Sequence, residues 1–328
     1  MRTVAMHGYG GPEVLRLEQR PEPVPGPGQV LIAAEAISVG YAQVQMRRDE
    51  FPAAAWRPAL PAVLGGDVVG RVGAVGSGVS TAVVGDRVGA FVVGGAYADL
   101  VLADASVLVP VPVGLDAGQA TVLPGTGPIA AGLLDVGRLA PGEIVLVHAA
   151  AGGVGHLAVQ LARAGGAGLV LATASSPAKR AFAAAHGADA VVDYTAPDWT
   201  GRIRALTGGR GVDLVLDGVG GDTLTAGIEL LAPGGRLVFY GSAGGGRTVP
   251  AISALALLGL RSVIGFNLSA WRQAAPERYR VRLAELTEQL LSGRVRAEVH
   301  ARFGLADAGR AHSVLEARAQ QGRVVLIP

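Results

Sequence analysis

The stretch Glu143–Ile144–Val145–Leu146–Val147–His148–Ala149–Ala150–Ala151–Gly152–Gly153–Val154–Gly155 decides the reading of this chain. An apolar run of strand length breaks into small residues and glycine, and a helical pattern over Gly153–Ala164 follows directly. Free backbone N–H groups and the positive end of the helix then point at one place, which suits a pyrophosphate. The first glycine of the usual Gly-x-Gly-x-x-Gly pattern is Ala150 here. The strand before it and the helix after it are the context that gives such a turn weight. A tight turn that binds nothing is the competing reading of the same residues.

Outward from this turn the rhythm repeats. Strands are expected at Glu143–His148, Gly168–Ala174, Ala190–Asp193, Val212–Asp217 and Arg236–Gly241. Helices alternate with them at Gly153–Ala164, Ala178–His186, Ile203–Thr207 and Thr223–Leu231. That alternation predicts an α/β fold, a doubly wound parallel sheet with helices on both faces. The nucleotide is decided about twenty residues past the glycine turn, where an acid would take the ribose hydroxyls of NAD. Here the strand ends Leu171–Ala172–Thr173–Ala174–Ser175–Ser176 with no acid. Ser175 and Ser176 can donate hydrogen bonds, and Lys179, the chain's single lysine, follows with Arg180. Both features favour a 2′-phosphate and hence NADPH over NADH, although a solvated lysine on a helix face would read the same.

Before Thr121 the chain is rich in Val, Gly and Pro, with short alternating runs at Val30–Ala34, Val68–Val75 and Asp86–Phe91, the pattern of a β-rich domain. After the doubly wound region come an apolar strand at Ser262–Phe266, an amphipathic helix at Glu277–Leu291 and a closing strand at Arg323–Ile327. The expected division is residues 1–122, 123–261, and 262–328 returning to the first domain. At 328 residues two domains are the prior.

Composition removes several chemistries. The chain has no cysteine, so disulfides, thiolate zinc sites, Fe–S clusters and cysteine nucleophiles are excluded. Its six histidines show no His-Glu-x-x-His spacing, and no serine sits in a Gly-x-Ser-x-Gly elbow. A net charge of +2 without a basic tract gives no footprint for nucleic acid or an anionic membrane. The most apolar stretch, Ala251–Leu268, is interrupted by Arg261 and Asn267, and the expectation is a cytoplasmic protein.

At these residues the chain resembles the medium-chain dehydrogenase/reductase superfamily, within it the zinc-free quinone oxidoreductase (zeta-crystallin-like) branch. The resemblance rests on Ala149–Gly155 followed by Gln160, Thr173–Lys179, Gly187–Tyr194 and Asp217–Gly221. Tyr9–Leu15, Leu64–Asp67, Val72–Gly76 and Gly85–Val88 extend it through the N-terminal half. It implies a GroES-like domain, a Rossmann domain and a homodimer joined through the latter, with Arg261–Phe266 at the edge. It also implies metal-free hydride transfer from NADPH to a small-molecule electron acceptor in a cleft between the domains, since the zinc-ligand positions are occupied by Gly40 or Tyr41 and by Gly66.

Carried over residue by residue, Thr126 faces the nicotinamide, and Gly152, Gly153, Val154 and Gly155 hold the pyrophosphate. Ser175, Lys179 and Tyr194 surround the 2′-phosphate and adenosine, with Ser176 beside them. Val219, Tyr240, Gly241, Phe266, Asn267 and Leu268 line the other side of the cofactor, and Arg323 is a further candidate for the pocket. The family's Asn-x-x-Asp pair is replaced by Gly40 and Gln43, and its cleft tyrosine by Phe51. Tyr41 is the nearest replacement proton donor, with packing as its competing role. The reading is an NADPH-dependent, zinc-independent reductase of quinones or α,β-unsaturated carbonyl compounds. Its rivals are a specialised natural-product tailoring reductase and a non-enzymatic NADPH-binding protein.

Overall fold

The computed structural model describes residues 1–51, 57–244 and 250–328. Two compact units divide the chain: Met1–Gly127 with Thr287–Pro328, and Pro128–Leu286. The first unit opens with β1 (Arg2–Met6), β2 (Leu15–Gln19) and the long β3 (Gln29–Val39). The short helix α1 (Tyr41–Arg47) precedes β4 (Leu64–Val75), β5 (Arg87–Gly94), β6 (Leu100–Asp104), β7 (Val109–Pro110) and α2 (Ala117–Ala120). Helix α3 (Thr126–Val136) begins at the last residues of this unit's N-terminal part.

The second unit continues with β8 (Ile144–Val147), α4 (Gly155–Ala164), β9 (Leu169–Thr173), α5 (Pro177–Ala185), β10 (Ala190–Val192) and α6 (Trp199–Leu206). It ends with β11 (Val212–Asp217), α7 (Asp222–Glu229), β12 (Leu231–Phe239), β13 (Ser262–Gly265), α8 (Leu268–Ala274) and most of α9 (Pro276–Leu291). The C-terminal β14 (Val299–Gly304), α10 (Ala308–Glu316) and β15 (Arg323–Ile327) belong to the first unit.

In the first unit the main sheet runs β14-β15-β3-β4-β5-β7, with β6 also on β3. Alternation along the strands sends Val30, Ile32, Ile37, Val68, Val72 and Val88 into one apolar core with Val324 and Leu326 of β15. Burying each such side chain contributes roughly 1.5–3 kcal/mol. Two register shifts between β3 and β4, at Leu31/Ile32 and Ala34/Ala36, bend the long strands. The antiparallel pairing of β15 with β3 sets Val324 opposite Val39, which carries Arg323 to the carboxyl end of β3.

In the second unit all strand pairs are parallel, in the order β10-β9-β8-β11-β12-β13. Strands buried on both faces need unbroken apolar runs, which Ile144–Val147 and Leu214–Leu216 supply. Right-handed crossovers leave β8 in one direction and β11 in the other, so the helices fall on opposite faces. At the amino ends Arg236, 6% exposed, binds both carboxylate oxygens of Glu143 at 2.7 and 2.6 Å and the carbonyls of Arg138 and Asp213. That staple ties the bottom of three strands and leaves their carboxyl ends for a ligand.

The structure departs from the sequence reading in several places. Ser262–Leu286 stays with the second unit, because β13 pairs with β12 instead of returning to the first. Strand β12 starts at Leu231, five residues before the expected Arg236, with a register shift against β11. Tyr41 opens the short helix α1, which was not foreseen, nor were β14 and α10. Among the described residues no helix is long and apolar enough to cross a membrane.

Candidate functional site

The strand order of the second unit reverses direction between β8 and β11, and ligands of open α/β sheets bind outside the carboxyl ends at such a point. The turn from β8 into α4 is held by Gly152 N donating to the Ala149 carbonyl at 2.9 Å and Ala150 N to Thr173 at 3.1 Å. Ala149 takes a positive φ of 49° to close it. At Gly155 a Cβ would fall on the Ala149 carbonyl oxygen and 2.8 Å from Ala150 Cα, so glycine alone lets the helix start this close. No side chain caps α4, leaving the positive end of its dipole to a ligand. A pyrophosphate beside Gly152, Gly153, Val154 and Gly155 fits these observations.

Two buried side chains back this turn. His148, at the end of β8, pairs through Nδ1 with Thr173 Oγ1 at 2.9 Å and meets the edge of Trp199. Burial holds its pKa down, against the opposing charge of Asp217, and keeps it neutral. Asp217, at the end of β11, accepts from the amides of Val219 and Gly220 at 2.6 and 3.1 Å and so shapes the second glycine turn.

Ser175, Lys179 and Tyr194, expected from the sequence around the adenosine, are all half-buried and follow the carboxyl ends of β9 and β10. Ser176 turns out to be the N-cap of α5, its hydroxyl accepting from Lys179 N at 3.3 Å. Arg180 reaches back to Asp193 at 2.6 Å and bridges the tips of β9 and β10. Thr195 and Arg180 together hold the Asp193 carboxyl below its ordinary pKa, so it stays ionised.

Past β11 and β12, the loop carrying Val219 is zipped to the one carrying Tyr240 and Gly241. Tyr240 N binds the Asp217 carbonyl at 2.9 Å, Ala243 N that of Gly218, and Gly244 N that of Val219. The Tyr240 ring lies so close to Gly218 that a Cβ there would sit 2.6 Å from it. Burial, with Asp217 adding to it, raises the phenol's pKa and keeps it protonated. After β13, Phe266 packs against Gly132 and Trp271, Asn267 caps α8 through Ala270 N at 3.0 Å, and Leu268 opens that helix. The structure thus gathers every candidate from Gly152 to Leu268 at one end of one sheet.

Thr126, Arg323 and Tyr41 lie in the first unit. Arg323 is 5% exposed and spends its guanidinium internally, on Asp67 Oδ2 at 2.9 Å, on Thr121 Oγ1 and O at 3.1 and 3.2 Å, and on Thr126 Oγ1. It therefore organises Thr126 instead of offering a free cation to a ligand. Thr126 Oγ1 in turn donates to Asp67 Oδ2 at 3.0 Å, and Ser38 Oγ donates to the same oxygen at 3.2 Å. Burial holds the Asp67 carboxyl above its ordinary pKa, opposed only in part by the Arg323 charge and the hydroxyls of Thr126 and Ser38. A hydroxyl has one hydrogen and two lone pairs, so Thr126 retains only an acceptor site. Tyr41 lies half-buried with the guanidinium of Arg318 4.0 Å above its ring. Gln43 caps α1, its Oε1 accepting from Gly40 N at 3.0 Å, and a Cβ at Gly40 would sit 2.8 Å from that oxygen. The changes at 40 and 43 thus belong together.

Asp67, Thr121, Ser38 and Arg318 were missed in the sequence. Only Asp67 carries a local signal, a single acid inside the apolar strand run Leu64–Gly70.

Residues 153–287 match the family described as Zinc-binding dehydrogenase, and residues 26–113 the Alcohol dehydrogenase GroES-like domain. The zinc of that description does not fit this chain. It has no cysteine, and among the described residues no group of three or more His, Cys, Asp or Glu converges to hold a metal ion. The quinone oxidoreductase of Pseudomonas aeruginosa is 37% identical over 330 residues, spanning 100% of this chain and 99% of the relative. The structure of mycobacterial Rv1454c complexed with NADPH superposes with a TM-score of 0.92 at 38% identity, covering 100% of both chains. Escherichia coli quinone oxidoreductase complexed with NADPH does so at 0.92 and 31%, again covering 100% of both. The two matched domains, the full-length identity and the superposition together make the chain a member of the quinone oxidoreductase branch of the medium-chain dehydrogenase/reductase superfamily.

Proposed function

We propose that the protein is an NADPH-dependent reductase of a quinone or an α,β-unsaturated carbonyl compound. The observation that carries this is the convergence of the uncapped α4 start, the acid-free end of β9 and Lys179 at the carboxyl ends of one doubly wound sheet. NADPH, when bound, supplies the hydride. Backbone amides of Gly152–Gly155 take its pyrophosphate, and Ser175 and Lys179 its 2′-phosphate. Ser176 contributes less, because its oxygen already caps α5. Thr126, with its hydrogen committed to Asp67, can only accept, from a nicotinamide amide or a ribose hydroxyl, and is not a proton donor. Tyr41 is the group assigned to protonate or pack against the acceptor. A conjugated acceptor suits a site without a metal, because its own oxygen spreads the developing charge.

The decisive experiment titrates NADPH and NADH against the parent and Lys179→Ala. A charge-assisted hydrogen bond of about 1.5–3 kcal/mol predicts a preference for NADPH of roughly 10- to 100-fold that the variant loses. Equal affinity for both nucleotides in the parent overturns the phosphate assignment. Turnover on a panel of quinones and enones separates an enzyme from a protein that only binds the nucleotide. We further infer a homodimer built on β13, which pairs with β12 on one side only and is preceded by Leu255, Leu258 and Leu260, 75%, 70% and 87% exposed. An edge strand beside exposed leucines suits a second copy of this chain.

A further inference from the structure

Helices of this protein close in a recurrent way. At α5 and α6 the first residue past the C-cap is glycine, Gly187 and Gly208, with φ of 102° and 59°. Its N–H and that of the next residue return to the last turn, as Gly187 N to Ala184 and Ala188 N to Ala183. Helix α10 closes with the same pair of bonds, Arg318 N to the Leu315 carbonyl at 3.0 Å and Ala319 N to Val314 at 3.1 Å. Its left-handed residue is an arginine, at φ 52°, and α3 and α1 close likewise at Arg138 and Asp49, at φ 50° and 56°. In a chain with 50 glycines, a side chain with a Cβ stands where glycine is the more stable choice.

That side chain goes to Tyr41, the first residue of α1, with Arg318 Cζ 4.0 Å from the ring centroid. The far end of α1 is fastened to the same helix, since Arg47, fully buried, and Arg48 both bind Glu316 Oε1. Glu316 and Arg318 thus grip both ends of the helix that presents Tyr41. The ion pairs hold α1 as a body, and the stack is the contact that addresses the ring itself.

We propose that Arg318 is a positioning residue, whose guanidinium stacked on Tyr41 fixes that ring for the electron acceptor. The inference rests on the reading of Tyr41 as the residue that meets the acceptor, and it adds that turnover of the acceptor depends on the segment after α10. A planar cation does this best, because guanidinium lies flat on a ring whereas an ammonium offers only its charge. The backbone conformation is retained without it, because glycine or asparagine accepts a positive φ.

The test uses Arg318→Gly, Arg318→Asn, Arg318→Lys, Tyr41→Ala and the Tyr41→Ala/Arg318→Gly double variant. Each is measured for melting temperature, NADPH affinity, and kcat and KM with p-benzoquinone. Fluorine NMR of protein labelled with meta-fluorotyrosine, the Tyr41 line assigned by its loss in Tyr41→Ala, reports the stack without turnover. Arg318→Gly and Arg318→Asn are expected to melt no lower than the parent, to bind NADPH unchanged and to shift the Tyr41 line. A lost cation–π contact predicts that kcat/KM falls about three- to tenfold. Arg318→Lys restores part of that loss, and Arg318→Gly costs nothing further in a Tyr41→Ala background. An unmoved Tyr41 line, unchanged kcat/KM in Arg318→Gly alongside an impaired Tyr41→Ala, or an equal loss in both backgrounds overturns the proposal. Full activity of Tyr41→Ala overturns it by a different route. The Tyr41 reading then fails, while the fluorine line still responds to Arg318→Gly.

Discussion

Replacing Arg323 by methionine keeps an unbranched apolar stem and removes a guanidinium that is 5% exposed, leaving Asp67, 6% exposed, without its counter-charge. The remaining partners of the carboxylate are the Ser38 and Thr126 hydroxyls, both on Oδ2, and Thr121 loses two donors at once. Breaking a buried ion pair from one side costs about 3–5 kcal/mol. The cost carries a pH signature. In the variant, burial raises the folded-state pKa of Asp67 with no arginine to oppose it, so the folded state binds a proton that the unfolded state releases. Stability of the variant therefore rises as pH falls towards the unfolded value. Its deficit against the parent shrinks, by up to about 1.4 kcal/mol per pH unit, as pH falls below the variant's folded-state pKa and until the parent's own raised Asp67 takes up its proton. Urea unfolding at each pH, with hydrogen exchange of β3, β4 and β15 amides to assign the loss to the first unit, measures both numbers. The Asp67→Asn/Arg323→Met double variant removes both charges and is expected to recover at least half the loss. A deficit under about 1 kcal/mol, a deficit independent of pH, or a double variant as unstable as the single refutes the account of a pair that is costly to split.

Gly155→Ala places a methyl on the Ala149 carbonyl and against Ala150 Cα, so the start of α4 must move away from β8. About 1–3 kcal/mol of destabilisation and at least a tenfold weaker NADPH affinity are expected by calorimetry. Gly201→Ala, within α6 and with nothing within 4 Å of the added carbon, should instead be stabilising by about 0.5–1 kcal/mol. A Gly155→Ala variant that binds like the parent removes the turn from the cofactor site. Leu258→Asp, at a position 70% exposed before β13, is expected to turn a sedimenting dimer into a monomer at micromolar concentration. A parent that sediments as a monomer counts against the edge-strand dimer.

The nucleotide-binding half was legible in the sequence because its determinants are local. Strand, glycine turn and helix lie within Ile144–Ala164, and the serines and lysine read as the 2′-phosphate contact follow just past the end of the next strand. Periodicity and turn chemistry act over just such distances. Helix α1 was illegible for the same reason: seven residues, begun at a glycine and capped by a glutamine three residues on, give no periodic stripe. Ser262–Gly265 could be read as a strand, but three half-buried residues and an exposed glycine do not say which sheet takes them. The groups that orient the first unit's side chains lie far apart in sequence. Asp67 and Arg323 are 256 residues apart and meet because β15 pairs with β3 and β3 with β4. Neither looks unusual alone, and a buried arginine and a buried aspartate become intelligible only as a pair. Arg318 and Tyr41 follow the same logic: Arg138 and Asp49 end helices with the same left-handed backbone, and only the packing of α10 on α1 brings the Arg318 guanidinium to a ring. A left-handed arginine at a helix end therefore acquires meaning only from the distant contact it makes, and here that contact is the Tyr41 ring.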